Sequence, residues 1–244
     1  MRTLLIFSLI LLGGCSPKPL ATDISGLWIN QAAIDSAAQG RSLLQAIGAN
    51  GLNLEWNIDT RTGKAQFSNA FEAADGQLLP NASGNWTVDY NGHGTDELQS
   101  DGTQLTQLPT KSYPGQVFRR AAQPAPAGAR WGTTFRQALN AAYMAGKWKI
   151  IEGPGAGNTV EFTADGRLSG LTQNDRYELC LGGGCATQGA GNDTLLLGNV
   201  YSGDGFIFVR YGKRMELLKQ INLSRPDEIP QLTPGPRQWL LEKQ

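Results

Sequence analysis

The chain has 244 residues, 21 Lys plus Arg against 21 Asp plus Glu, one histidine and 40% hydrophobic side chains. A formal charge of zero leaves no basic field for nucleic acid or for an anionic bilayer, and excludes both as electrostatic partners. Its 31 glycines and 12 prolines, scattered among short apolar runs, describe a turn-rich β protein with enough chain for one large core or two small ones.

Arg2 and the apolar run from Leu4 to Leu12 read as an export signal, since the run is too short to stay in a bilayer as a spanning helix. The run closes on Leu12-Gly13-Gly14-Cys15, which resembles the lipobox of bacterial lipoproteins. That resemblance implies cleavage before Cys15, a thioether-linked diacylglycerol on its sulfur and a third acyl chain on the freed amine. Several acyl chains at about 0.8 kcal/mol per buried methylene make such an anchor stable. Ser16 stands where an Asp would imply retention in the inner membrane, so the expected address is the outer membrane, facing the periplasm. Residues 1–14 are then a signal peptide and 15–22 a tether; removing 1–14 takes away Arg2 and leaves 20 basic against 21 acidic side chains.

Strand-like runs follow in chain order: LNLEWNID, KAQFSNAF, NWTVDY, TVEFTA, RYELCL, DTLLLGNV, GFIFVRY and MELLKQI. Several alternate apolar with polar, as a sheet with one wet face requires. Asp-Gly at 75, 101, 165 and 204 and Asn-Gly at 50 and 91 supply the positive φ of tight turns. Two segments carry helical stripes instead. AIDSAAQGRSLLQAIG reads as one helix, and TTFRQALNAAYMAG as another, with Thr as N-cap and Gly146 as its stop; each is expected to lid one barrel end. Cys180 and Cys185 flank Leu-Gly-Gly-Gly, and in an exported chain they predict a disulfide pinning a hairpin, worth about 2 kcal/mol for so small a ring.

The chain is written twice. AAQPAPAGAR, residues 121–130, has the composition of a linker. On either side Gly26-Leu27-Trp28 matches Gly146-Lys147-Trp148, Leu54-Glu55-Trp56 matches Val160-Glu161-Phe162, and Trp86-Thr87-Val88 matches Tyr177-Glu178-Leu179. The segments around Gln116 and Gln238 match at the far ends. A repeat this long, made only twice, is a domain duplication and not a solenoid. The expected fold is mainly β, with two tandem small antiparallel up-and-down barrels, 23–120 and 131–244, each with a short helix.

Gly-x-Trp opening the first strand, with antiparallel strands after it, resembles the calycin superfamily of lipocalins and their small bacterial relatives. The resemblance implies that Trp28 and Trp148 plug the barrel bases and that a cation on the last strand packs near each. Arg119 and Arg120 are placed for this in the first copy; the second departs, having Leu240 and Leu241 there and only Lys243 nearby. The Thr-Asp-x-x-Tyr motif of classical lipocalins is missing.

Chemistry is sparse. His93 lies in the turn NGHGTD without a nearby nucleophile. The serine-hydrolase elbow is missing, and GPGAGNT, residues 153–159, lacks the Gly-Lys-Ser/Thr ending and following helix of a phosphate loop. Glu55 and Glu161 fall opposite Trp56 and Phe162 in the alternation and are expected as solvated outer-face carboxylates. Asp193 and Asp204 lack calcium-loop spacing, and no metal or cofactor is expected. A non-enzymatic binding module is therefore expected, with a secreted or envelope protein as partner, as for the calycin inhibitors or an envelope scaffold; its surface would include CLGGGC and YSGDGF. The alternative is a carrier holding a small apolar ligand in a barrel. The Pro-rich residues 224–237 are expected as the loop into the last strand.

Overall fold

The computed structural model describes residues 21–244 except Arg41, Ala70, Ser112, Val200 and Tyr201. The signal sequence, Cys15, Ser16 and most of the tether lie outside the described residues. Eight antiparallel strands close into a barrel in simple meander order. They are β1 (Gly26–Ile29), β2 (Asn53–Asp59), β3 (Lys64–Asn69), β4 (Ala73–Pro80), β5 (Trp86–Asp89), β6 (Thr95–Ser100), β7 (Gln104–Gln107) and β8 (Gln116–Arg120). Closure is made by β8 on β1, through Trp28 opposite Arg120 and Ile29 opposite Arg119. Alternation sends Trp28, Trp56, Val88, Leu98, Leu105 and Phe118 inward, where all are fully buried. The barrel is thus filled by its own side chains, as its size dictates.

The second half holds β9 (Gly146–Glu152), β10 (Thr159–Phe162), β11 (Leu168–Ser169), β12 (Tyr177–Leu179), β13 (Thr194–Asn199), β14 (Ser202–Tyr211), β15 (Arg214–Asn222) and β16 (Leu232–Lys243). These form one antiparallel sheet in the order β11-β10-β9-β16-β15-β14-β13-β12. The expectation of a second closed barrel is met only this far. The end strands β11 and β12 are two and three residues long. They meet through one bridge, Arg167 opposite Arg176, with Leu168 N–H donating to Asp175 O at 2.8 Å and Tyr177 N–H to Gly166 O at 2.9 Å.

The register corrects the internal alignment. Trp28 lies opposite Trp56 and Trp148 opposite Val160, so Val160 matches Trp56 and Glu161 matches Asn57; Glu55 and Glu161 are two residues out of step. Trp86 is on the fifth strand of its set and Tyr177 on the fourth of the other. SGDGF is not a loop but the start of β14, where Gly203 passes so near β13 that a Cβ would lie 2.4 Å from Leu197 O. Of the Pro-rich stretch, only the part before Leu232 is loop. Pro234 and Pro236 enter β16, where the ladder with β15 shifts register and tolerates missing donors.

The helices depart further from expectation. The first segment is two helices, α1 (Gln31–Ala38) and α2 (Leu43–Asn50), because Gly40 takes φ 97° and Ser42 starts a new cap on Gln45 N. The third, α3 (Thr133–Tyr143), has Gly132 at φ 81° as its N-cap, not a threonine, and already ends at Tyr143. The fourth, α4 (Gly183–Gln188), contains Cys185, so the Cys180–Cys185 disulfide ties β12 to a short helix and not to a hairpin arm. The helices do not lid one barrel each. Ala33, Ile34, Leu43 and Ile47 of α1 and α2 share a core with Phe135 and Leu139 of α3 and with the second sheet, while the first barrel keeps a separate core.

Both Gly-x-Trp strands use one local geometry. Gly26 takes φ 130° and Gly146 φ 126°. Each tryptophan donates its indole N–H at 2.9 Å to the carbonyl four residues earlier, Ile24 O for Trp28 and Met144 O for Trp148. A cation from the last strand covers each ring, Arg120 at 4.2 Å from the Trp28 centroid and Lys243 at 5.6 Å from that of Trp148. Such contacts contribute about 0.5–2 kcal/mol. Glycine is needed twice over, for its φ and because a Cβ on Gly26 would lie 2.6 Å from Arg120 Nη1, against 3.2 Å from Lys243 Cε for Gly146. Replacing either glycine by alanine should destabilise the fold by more than about 1 kcal/mol. Gly26→Ala should lower the melting temperature further than Gly146→Ala, because it also displaces the guanidinium; equal shifts in paired melting curves would show that φ alone decides.

Candidate functional site

Two buried carboxylates set the geometry between the halves. Glu55 does fall opposite Trp56 in the alternation, but the outer face of β2 is covered there by the start of α3, so Glu55 is 6% exposed and not solvated. It accepts the Phe135 N–H at 2.8 Å, at the helix end where unpaired donors and the backbone dipole favour an anion. Asp193, just before β13, does the same in the other direction: it accepts Leu43 N–H at 2.6 Å and Leu44 N–H at 3.0 Å, at the start of α2. Each half therefore caps a helix of the other. Burial raises both carboxyls above their ordinary pKa; the backbone N–H groups of Phe135, Gly132 and Thr134 oppose this at Glu55, and those of Leu44 and Leu43, followed by the Ser42 side-chain hydroxyl, oppose it at Asp193. Glu161 is exposed on the sheet.

A branched groove opens beside the cap at Glu55. Three depressions of about 500, 200 and 190 Å³ share Arg136 of α3, Glu178 of β12 and Leu181 just beyond it. The Arg136 guanidinium lies 3.3 Å from Glu178 and donates to Leu179 O at 3.2 Å. Burial lowers its pKa, partly offset by the Glu178 charge. The largest branch runs between the first barrel and α3, with Phe71 and Trp131 on its rim at 62% and 41% exposed. Large aromatics left this open beside arginines have the composition of an interface centre, not of a core.

Protein-family models, curated proteins and solved structures were compared with the chain, and none matches.

The residues singled out in the sequence fall in three places. Trp28 with Arg120, and Trp148 with Lys243, form the two stacked pairs described above and line none of the three depressions. Arg119 is next along β8, faces the opposite side and is exposed. Cys180 and Cys185 form their disulfide at the wall of the 200 Å³ branch, which brings CLGGGC into the groove. His93 is exposed in its turn. Among the described residues no cluster of His, Cys, Asp and Glu could hold a metal ion. Phe71, Trp131, Arg136 and Glu178 were not singled out. Only Trp131, a large aromatic between a linker and a helix start with no periodic partner, carried a local signal.

The raised Glu55 carboxyl fixes the sign of a pH effect. The folded chain holds this proton more tightly than the unfolded chain, so the stability it contributes is present below the ordinary value of 4.5 and is lost as pH rises through the higher folded value. Melting curves of the wild type and Glu55→Gln from about pH 4 to about pH 8 should therefore show the wild type's advantage shrinking as pH rises. A constant difference would mean that Glu55 ionises equally in both states.

Proposed function

We propose that the protein is a non-enzymatic binding module, anchored by lipid at Cys15 to the periplasmic side of the bacterial outer membrane, and that it docks a protein partner in the groove around Arg136. The observation that carries this reading is the junction of three depressions at Arg136, Glu178 and Leu181, the largest of them rimmed by the exposed rings of Phe71 and Trp131. The halves are read as tandem lipocalin-like barrels that arose by duplication. Eight strands in each half, the shared Gly-x-Trp geometry and a covering cation at each base support that reading. The filled interior of the first barrel favours a surface-binding role over carriage of an apolar ligand.

Affinity capture from envelope extract tests the docking. A stoichiometric protein partner should be recovered, and Trp131→Ala with Phe71→Ala should weaken it at least about tenfold, or about 1.4 kcal/mol. Tyr113→Ala, an exposed aromatic away from the groove, should leave capture unchanged. Recovery of a bound lipid with no protein partner would support the carrier reading instead. The anchor has its own test: Cys15→Ala should abolish incorporation of labelled palmitate and move the protein from the membrane to the soluble fraction. Membrane retention of that variant would overturn the anchor.

A further inference from the structure

The 200 Å³ branch is chemically unlike the rest of the groove. It lies on the outer face of the second sheet, where the side chains of β13 and β14 opposite the core come to the surface. Leu195 and Leu197 point into the core, so Leu196 between them forms the floor. Gly205 is paired with Leu196 as the next floor position on β14, and the Gln220 amide lies over it, so that a Cβ there would approach Gln220 Oε1 to 2.3 Å. Leu232 closes one side, and the Cys180–Cys185 disulfide holds the α4 loop as the other.

Size and charge select the occupant. About 200 Å³ is below the roughly 300–1,000 Å³ of pockets that enclose free small molecules. It suits one large side chain delivered by a larger partner, the arrangement of an interface anchor. The charges at its end, Arg136 and Glu178, already neutralise one another at 3.3 Å. No net charge is left to complement, and an ionised occupant would be desolvated without a partner.

We infer that this cleft is an anchor pocket for a single uncharged, large apolar side chain, of leucine, methionine or phenylalanine type, presented by the protein partner. The inference rests on the groove being a protein-docking surface and adds which chemistry the partner brings to it. The Cys180–Cys185 loop is then a wall of the binding site as well as a staple of the fold.

Leucine-methyl NMR on the intact protein in lipid nanodiscs provides the test. The probes are the N-acetyl amides of leucine, phenylalanine and aspartate. The leucine and phenylalanine probes should give saturable shifts at the methyls of Leu196 and Leu232, and the aspartate probe shifts at least about tenfold weaker. Leu196→Asp and Gly205→Val should each abolish the saturation; the first changes a half-buried outer-face position, so the result does not depend on the tighter glycine site. No saturable shift, or an equal response to aspartate, would overturn the inference. Shifts confined to the Trp131 indole would overturn the pocket while supporting the wider groove. Saturation at Leu196 combined with partner capture indifferent to Trp131→Ala would do the reverse.

Discussion

The arrangement of this protein depends on an exchange of buried carboxylates between its halves. Glu55 leaves the first barrel to cap α3, and Asp193 leaves the second sheet to cap α2. Among the described residues neither makes an ion pair. What offsets its desolvation is a set of backbone N–H donors at a helix start, aimed at the carboxylate whether or not it is there. A carboxylate held in this way has little freedom to move, because withdrawal would strand both the anion and the donors away from water. Two such contacts, pointing in opposite directions, fix the halves more firmly than a ten-residue Ala- and Pro-rich linker could. The groove around Arg136 is a consequence, since one of its walls is the first barrel and the other is α3.

The repeated Gly-x-Trp serves a different need. A ring this large is buried most stably where its indole N–H finds an acceptor among the apolar side chains around it. Placing glycine two residues before the ring lets the chain turn so that a carbonyl four residues back receives that N–H, and it clears a path for a long cation from the last strand to lie across the ring. The cation can be arginine or lysine because the ring face asks only for positive charge; Arg120 gains more from the site through its hydrogen bond to Ser25 O at 2.7 Å.

Legibility in the sequence followed the range of the interactions. The antiparallel strands with strong alternation, the turn glycines and the disulfide could be read because neighbours along the chain decide them. The polar strands β4 and β6 were missed, since most of their side chains face water and leave no pattern. Glu55 shows the limit most clearly: alternation gave its face correctly, but its burial comes from a helix 80 residues away. The break between α1 and α2 and the capping glycine of α3 are local, at Gly40 with Ser42 and at Gly132, but the apolar stripe running through both segments hides them. The groove was invisible because its parts come from three distant places, Phe71 from the β3–β4 turn, Arg136 from α3, and Glu178 with Leu181 from the end of β12, and meet only in the folded chain.

The sharing of one core by α1, α2 and the second sheet sets an order of events during folding. The first barrel can close once residue 120 is available, because its core is its own. Its two helices cannot finish then: Leu43 waits for Asp193, 150 residues further along, and the apolar faces of Ile34 and Ile47 wait for the sheet that covers them. Until Asp193 and the second sheet are in place, the apolar faces of those helices have nothing in the fold to cover them. Long-range closure of this kind is slow and leaves adhesive surface exposed.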